Sequence, residues 1–261
     1  MSELIEVNSH DKCVEIGLNR PETYNAFNLE LLVQLTEQLI AAATDCGVKG
    51  VVIAGRGKAF CAGGDLKYAL DFPHGAPAGF HRLAAQFHLA IIEIRRMRKP
   101  VVAAIHGAAA GGGFSLALAC DFRVMEKSAR LIQAYTSNGL CIDGGGTFTL
   151  PRLVGLARSL EIAAFDKPIS ADQALDWGMV TRVVDNGQAV DEALSMLQQL
   201  SQRSLQSFGW TKKLLTDSFS TSFESQIEME RVGLCDCAGH PDGQEGLNAF
   251  VEKRKPVFGD V

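Results

Sequence analysis

From Val101 to Cys120 the chain carries no Asp, Glu, Lys or Arg. A stretch like this has to be buried, either in a bilayer or in a protein core. A membrane-spanning helix needs roughly 20 apolar residues in a row, but Gly107 and the triplet Gly111 to Gly113 interrupt this one, and His106 would be costly in lipid. The segment therefore reads as a buried strand, Val101 to Ile105, then a loop, then a buried helix beginning near Gly112. No membrane association is expected.

Other short β-branched runs, Cys13 to Leu18, Gly50 to Ala54, Phe122 to Met125 and Met179 to Val184, are candidate strands. Helical spacing separates them: Leu31, Leu32, Leu35, Leu39 and Ile40 form one face, with Asn28 placed to cap its start. This alternation predicts an α/β fold with a covered sheet over residues 1–188. Past Asn186 the pattern turns wholly helical, with segments at Ala189 to Gln202, Ser207 to Ser218, Ser222 to Cys237 and Pro241 to Lys253. Residues 189–261 are expected to form a helical module whose amphipathic faces need a partner surface. Asp71 to Gly79, rich in Gly and Pro, is expected to be a mobile loop beside a substrate pocket.

A net charge of −5 gives no overall field to attract nucleic acid, and no nucleic-acid partner is expected. The basic run Arg95 to Lys99 suits the solvated C-terminus of a helix before Pro100. Seven cysteines without a CxxC pair indicate neither a disulfide framework nor a zinc knuckle. The six histidines never take metal-ligand spacing, so no metal is expected. The segment Met1 to Glu6 lacks the basic and apolar regions of a signal peptide, so a reducing cytoplasmic location is expected.

Two glycine-bearing loops, Phe60 to Asp65 and Gly107 to Gly113, each follow a β-branched run. Glycines let the main chain approach a ligand closely, and a helix starting at Gly112 would present unsatisfied N–H groups. Two such loops could aim two amides at one developing oxyanion, which points to an enzyme acting on a carbonyl. The competing reading is that the glycines only permit tight helix-to-sheet packing.

The runs Gly57-Lys58-Ala59-Phe60-Cys61-Ala62-Gly63-Gly64-Asp65-Leu66-Lys67 and Lys99-Pro100-Val101-Val102-Ala103-Ala104-Ile105-His106-Gly107-Ala108-Ala109-Ala110-Gly111-Gly112-Gly113 closely resemble the crotonase, or enoyl-CoA hydratase/isomerase, family. Arg20 to Asn28, Leu150 to Gly155, Ala174 to Val180 and Phe250 to Pro256 extend the resemblance along essentially the whole chain. It implies a spiral of ββα units, a helical C-terminal trimerisation region, and a homotrimer or dimer of trimers acting on acyl-CoA thioesters. Coenzyme A would enter as part of the substrate, and no cofactor is implied. Gly64 and Gly112 match the two oxyanion amides. Ala62, Leu66 and Lys67 fall in the acyl-CoA site, with Asp65 fixing the turn, and Phe250 and Lys253 match tail residues that help hold the nucleotide end.

Hydratases of this family use two glutamates, whose positions here hold Ser115 and Tyr135. In double-bond isomerases of the family an Asp in a Gly-Leu-x-x-Asp context shuttles a proton, and Asp143 stands in that context. One carboxylate suffices for an isomerase, because it can take a proton from one carbon and return it to another. Asp143 could otherwise cap the helix that follows. In the family's dehalogenases the matching Asp is a nucleophile assisted by a His at the position of His88. The reading adopted is an isomerase with Asp143 as base and with His88 and Tyr135 in the pocket wall. A hydratase is the alternative, followed by a dehalogenase and a non-catalytic acyl-CoA or RNA binder. Cys61 is expected to pack beneath the oxyanion loop rather than to react.

Overall fold

A computed structural model describes residues 3–259. Met1, Ser2, Asp260 and Val261, which the N-terminal and C-terminal readings include, lie outside the described residues. The chain runs β1 (Ile5–His10), β2 (Cys13–Leu18), α1 (Leu29–Thr44), β3 (Gly50–Gly55), α2 (Leu66–Leu70), α3 (Gly75–Arg96), β4 (Val101–Ile105), β5 (Ala108–Ala110), α4 (Gly112–Ala119), β6 (Phe122–Glu126) and β7 (Arg130–Ile132). It continues through α5 (Gly146–Val154), α6 (Leu156–Phe165), β8 (Ile169–Ser170), α7 (Ala171–Asp176), β9 (Arg182–Val184), α8 (Ala189–Ser201), α9 (Leu205–Asp217), α10 (Phe223–Gly239) and α11 (Pro241–Glu252).

Six strands form one sheet in the order β1-β2-β3-β4-β6-β9. Only β1 and β2 pair antiparallel; every later neighbour is parallel. Strands β3 and β4 are buried at every position, as expected for parallel strands covered on both faces. Their side chains divide with period two. Val51, Ile53, Val101, Ala103 and Ile105 face a core shared with Leu31, Leu35 and Leu39 of α1 and Ile94 of α3. Val52, Ala54, Val102 and Ala104 face Ala189, Ala193, Met196 and Leu197 of α8. The first helix past residue 188 thus covers the second face of the sheet. The helices that pack chiefly on one another are α9, α10 and α11.

A second sheet, β5-β7-β8, stands beside the first. It carries the strand leading into α4, and isolated bridges join Cys61 to Ala109 and Phe27 to Gly64. The first bridge brings the two glycine loops together, and the second ties the Gly64 loop to the segment before α1.

Asn28 caps α1 as the sequence suggests, its side chain accepting from Leu31 N at 2.9 Å. Two expectations are corrected. Residues 75–79 open the long helix α3 and do not form a loop; Pro77 sits in the first turn, where the missing N–H has no helical partner to lose. Met179 is not in a strand: its N–H bonds Ala174 O in the turn after α7, and β9 starts only at Arg182. Among the described residues, no helix is long and apolar enough to cross a membrane, and no group of three or more His, Cys, Asp or Glu could hold a metal ion.

Candidate active site

The two glycine loops meet over the ends of β3 and β4. Buried Asn25 anchors the first, donating from Nδ2 to the carbonyls of Arg56 at 2.9 Å and Ala59 at 2.8 Å. Cys61 N donates to Ala108 O at 3.1 Å and Ala110 N to Cys61 O at 2.8 Å, which ties the first loop to the second. Gly63 adopts a φ of +95°, and a Cβ there would lie 2.8 Å from both Ala110 O and Gly112 N, so only glycine lets the loops close to this degree. Asp65 caps α2 by accepting from Tyr68 N at 3.1 Å, and it pairs with Arg20 at 3.1 Å. Cys61 is fully buried, its thiol donating to Asn25 O at 3.1 Å. Burial pushes that thiol up to about 12, which leaves it protonated and unreactive.

A cavity of about 400 Å³ opens where the loops meet, and both Gly64 and Gly112 line it. Neither amide donates a hydrogen bond to an acceptor among the described residues. Gly112 is the first residue of α4, so its N–H has no helical acceptor. Gly63 N, between them, is turned to the Cys61 sulfur at 3.3 Å. Two unpaired donors on one cavity are the arrangement that stabilises negative charge on an oxygen.

Apolar groups make up most of the remaining wall. Phe80, Leu83, Ala84 and Phe87 come from one face of α3, at the spacing neighbours on a helix require. Phe87 packs on Phe27 with ring centroids 5.0 Å apart. Leu140, Cys141, Ile142 and Asp143, on the segment before α5, also line it. Gly144 has a φ of +62°, and a Cβ on it would come within 2.2 Å of Phe87, so the turn after Asp143 packs directly against α3.

Asp143 is the carboxylate of this cavity. It does not cap the following helix: the N-cap of α5 is Gly145, with no side-chain cap. Its Oδ1 lies 2.6 Å from His88 Nε2 instead. Ser115 Oγ donates to Asp143 O at 2.6 Å. Tyr135 also lines the cavity. Its phenol is pushed up to about 12, first by burial and further by the Asp143 charge, against the opposing effect of hydrogen bonds with Ser115 and the Asp143 backbone. Ser115 and Tyr135 thus form a neutral shelf that holds the Asp143 backbone and supply no second carboxylate.

The other assigned residues divide by position. Ala62 and Leu66 line the cavity. Asp65 and Lys67 line a separate depression with Arg20, Asn28 and Asp71. His88 is not part of the pocket wall; it stands behind Asp143 on α3. Phe250 is 84% exposed on α11, Lys253 is the left-handed C-cap of that helix, and neither is among the residues lining the cavity. His81 lines the cavity and was missed; reading 71–79 as a loop hid the helical face on which it sits.

The sequence pattern of the family described as enoyl-CoA hydratase/isomerase matches residues 9–261. A 1,2-epoxyphenylacetyl-CoA isomerase of Escherichia coli is 32% identical over 99% of both chains. A 4-chlorobenzoyl coenzyme A dehalogenase of an Arthrobacter species is 32% identical, covering 95% of this chain and 91% of the dehalogenase. The crystal structure of an enoyl-CoA hydratase from Polaromonas sp. JS666 superposes with a TM-score of 0.91 at 37% identity, covering 97% of this chain and 98% of that one. With the crotonase fold, the paired glycine loops and a match along nearly its whole length, this chain belongs to the enoyl-CoA hydratase/isomerase family.

Proposed function

We propose that the protein is an acyl-CoA isomerase that shifts a carbon–carbon double bond by proton transfer through Asp143. The amides of Gly64 and Gly112 receive the thioester oxygen. Asp143 takes a proton from C2 of a 3-enoyl thioester, and the electron pair moves onto that oxygen as a dienolate. The same carboxyl returns the proton at C4, giving the conjugated 2-enoyl thioester with no net change in atoms. Each preformed donor contributes about 3 to 4 kcal/mol to such a step. No cofactor takes part; coenzyme A belongs to the substrate.

The observation that carries the reading is a single carboxylate, Asp143, on the same cavity as two unpaired amides, while Ser115 and Tyr135 offer no second base to activate water. The test sets a 3-enoyl-CoA beside crotonyl-CoA. The isomerase reading expects fast double-bond migration in the first and slow hydration of the second. Fast hydration without migration would assign a hydratase instead.

The contact between His88 and Asp143 also suits a second reading, in which Asp143 attacks an aryl-CoA ring carbon, expels halide, and the aryl ester is hydrolysed with help from His88. Halide release from 4-chlorobenzoyl-CoA tests it. The proposed assembly is a homotrimer or a dimer of trimers. Leu215, Phe219, Phe223, Leu234 and Phe250 on or beside the last three helices are each at least 65% exposed, an apolar surface that self-association would cover. Light scattering during gel filtration reads the assembly directly. The proposed location is the cytoplasm, where seven unpaired thiols stay reduced.

A further inference from the structure

Asp143 is fixed from two sides, and the two fixings have different consequences. Its backbone is held by Ser115 Oγ at 2.6 Å, and the turn after it packs Gly144 on Phe87. Its carboxylate is held separately, by His88, the residue after Phe87 on the 22-residue helix α3. A carboxylate acting as a base is ionised and only accepts hydrogen bonds, so in that state the imidazole 2.6 Å away is the donor and Nε2 carries the proton. Such a charge-assisted bond is short and directional. It engages Oδ1 and leaves Oδ2 without a hydrogen-bond partner among the described residues.

We propose that His88 is a positioning residue: by donating from Nε2 to Oδ1 it locks the Asp143 carboxylate with Oδ2 toward the acyl chain, so that one oxygen serves both carbons of the proton shift. The inference rests on the isomerase reading of the site. A base that must reach C2 and then C4 of one bound chain gains from a fixed orientation, because a carboxylate free to rotate spends most of its time misaligned with one or the other. Among the described residues His88 is absent from the cavity lining and meets the site through the Asp143 carboxylate. Its side chain is 48% exposed, so removing it leaves no hole in the core and its effect on activity is separable from folding.

The experiment compares wild type, His88→Ala, His88→Gln and Asp143→Asn for turnover of a 3-enoyl-CoA, affinity for the unreactive butyryl-CoA, and thermal melting. His88→Ala is expected to lower kcat by about 10- to 100-fold, as loss of a supporting hydrogen bond typically does, with KM, butyryl-CoA affinity and melting temperature unchanged. His88→Gln, whose amide N–H can reach the same oxygen, is expected to recover most of the loss, and added imidazole part of it. A bystander imidazole would give no such recovery. Unchanged kcat in His88→Ala, or an equal fall in the Ala and Gln variants, would overturn the inference alone, provided that wild type isomerises and Asp143→Asn does not. Absence of isomerisation in wild type would overturn the inference together with the reading of the site.

Discussion

Replacing Gly64 by proline should remove one oxyanion donor without breaking an internal hydrogen bond among the described residues. The Gly64 N–H has no acceptor among the described residues, so no internal bond is lost. The bridge to Phe27 is made by Phe27 N to Gly63 O at 2.7 Å and Asp65 N to Phe27 O at 2.9 Å, and both bonds survive the change. A Cβ at position 64 meets nothing within 4 Å, and φ there is not positive, so an L-residue fits. Gly64→Ala is accordingly the control: it keeps the amide, and its effect on stability should stay within about 0.5 kcal/mol. Against that control, Gly64→Pro should lower kcat by about 100- to 1,000-fold, corresponding to about 2.7 to 4 kcal/mol for a single donor. The assay is steady-state conversion of a 3-enoyl-CoA by variants whose folding is verified by circular dichroism. A folded proline variant with kcat within about tenfold of the alanine variant, well short of the loss expected for a donor, would refute the oxyanion assignment.

Two further outcomes follow from the same cavity. Cys141 is exposed and lines it, whereas Cys13, Cys61 and Cys120 are buried; iodoacetamide should label Cys141 in the free protein, and saturating butyryl-CoA should slow that labelling while leaving Cys46 unaffected. The Tyr135 phenol, pushed up to about 12 in the fold, has an unfolded value of about 10. The folded state therefore holds an extra proton between these values, and its contribution to stability is complete below about pH 10 and lost as the pH rises through about 12. Urea titrations at rising alkaline pH should show stability falling less steeply in Tyr135→Phe than in wild type; parallel slopes would contradict the buried phenol.

Local chemistry made the sheet core legible. β3 and β4 are runs of β-branched and small apolar residues, buried throughout, so each announces itself within a few residues. The strands of the second sheet are two or three residues long, too short for periodicity to mark. The start of α3 was obscured by Gly75 and Pro77, residues that punctuate loops yet are tolerated in a first helical turn. The glycine loops could be read because close approach of backbones demands glycine wherever it occurs. The pairing of His88 with Asp143 could not be read, since 55 residues separate them and tertiary packing, such as that of Gly144 on Phe87, brings them together. The support from Ser115 was hidden likewise, since its hydroxyl donates to a backbone carbonyl, Asp143 O, 28 residues away and outside any motif.

The decisive variant is Asp143→Asn. The amide keeps the shape of the side chain and cannot accept the C2 proton, so the account expects conversion of a 3-enoyl-CoA to collapse while butyryl-CoA still binds with near wild-type affinity. Isomerisation surviving in a folded Asp143→Asn protein would show that another group carries the proton, and the account would be wrong at its centre.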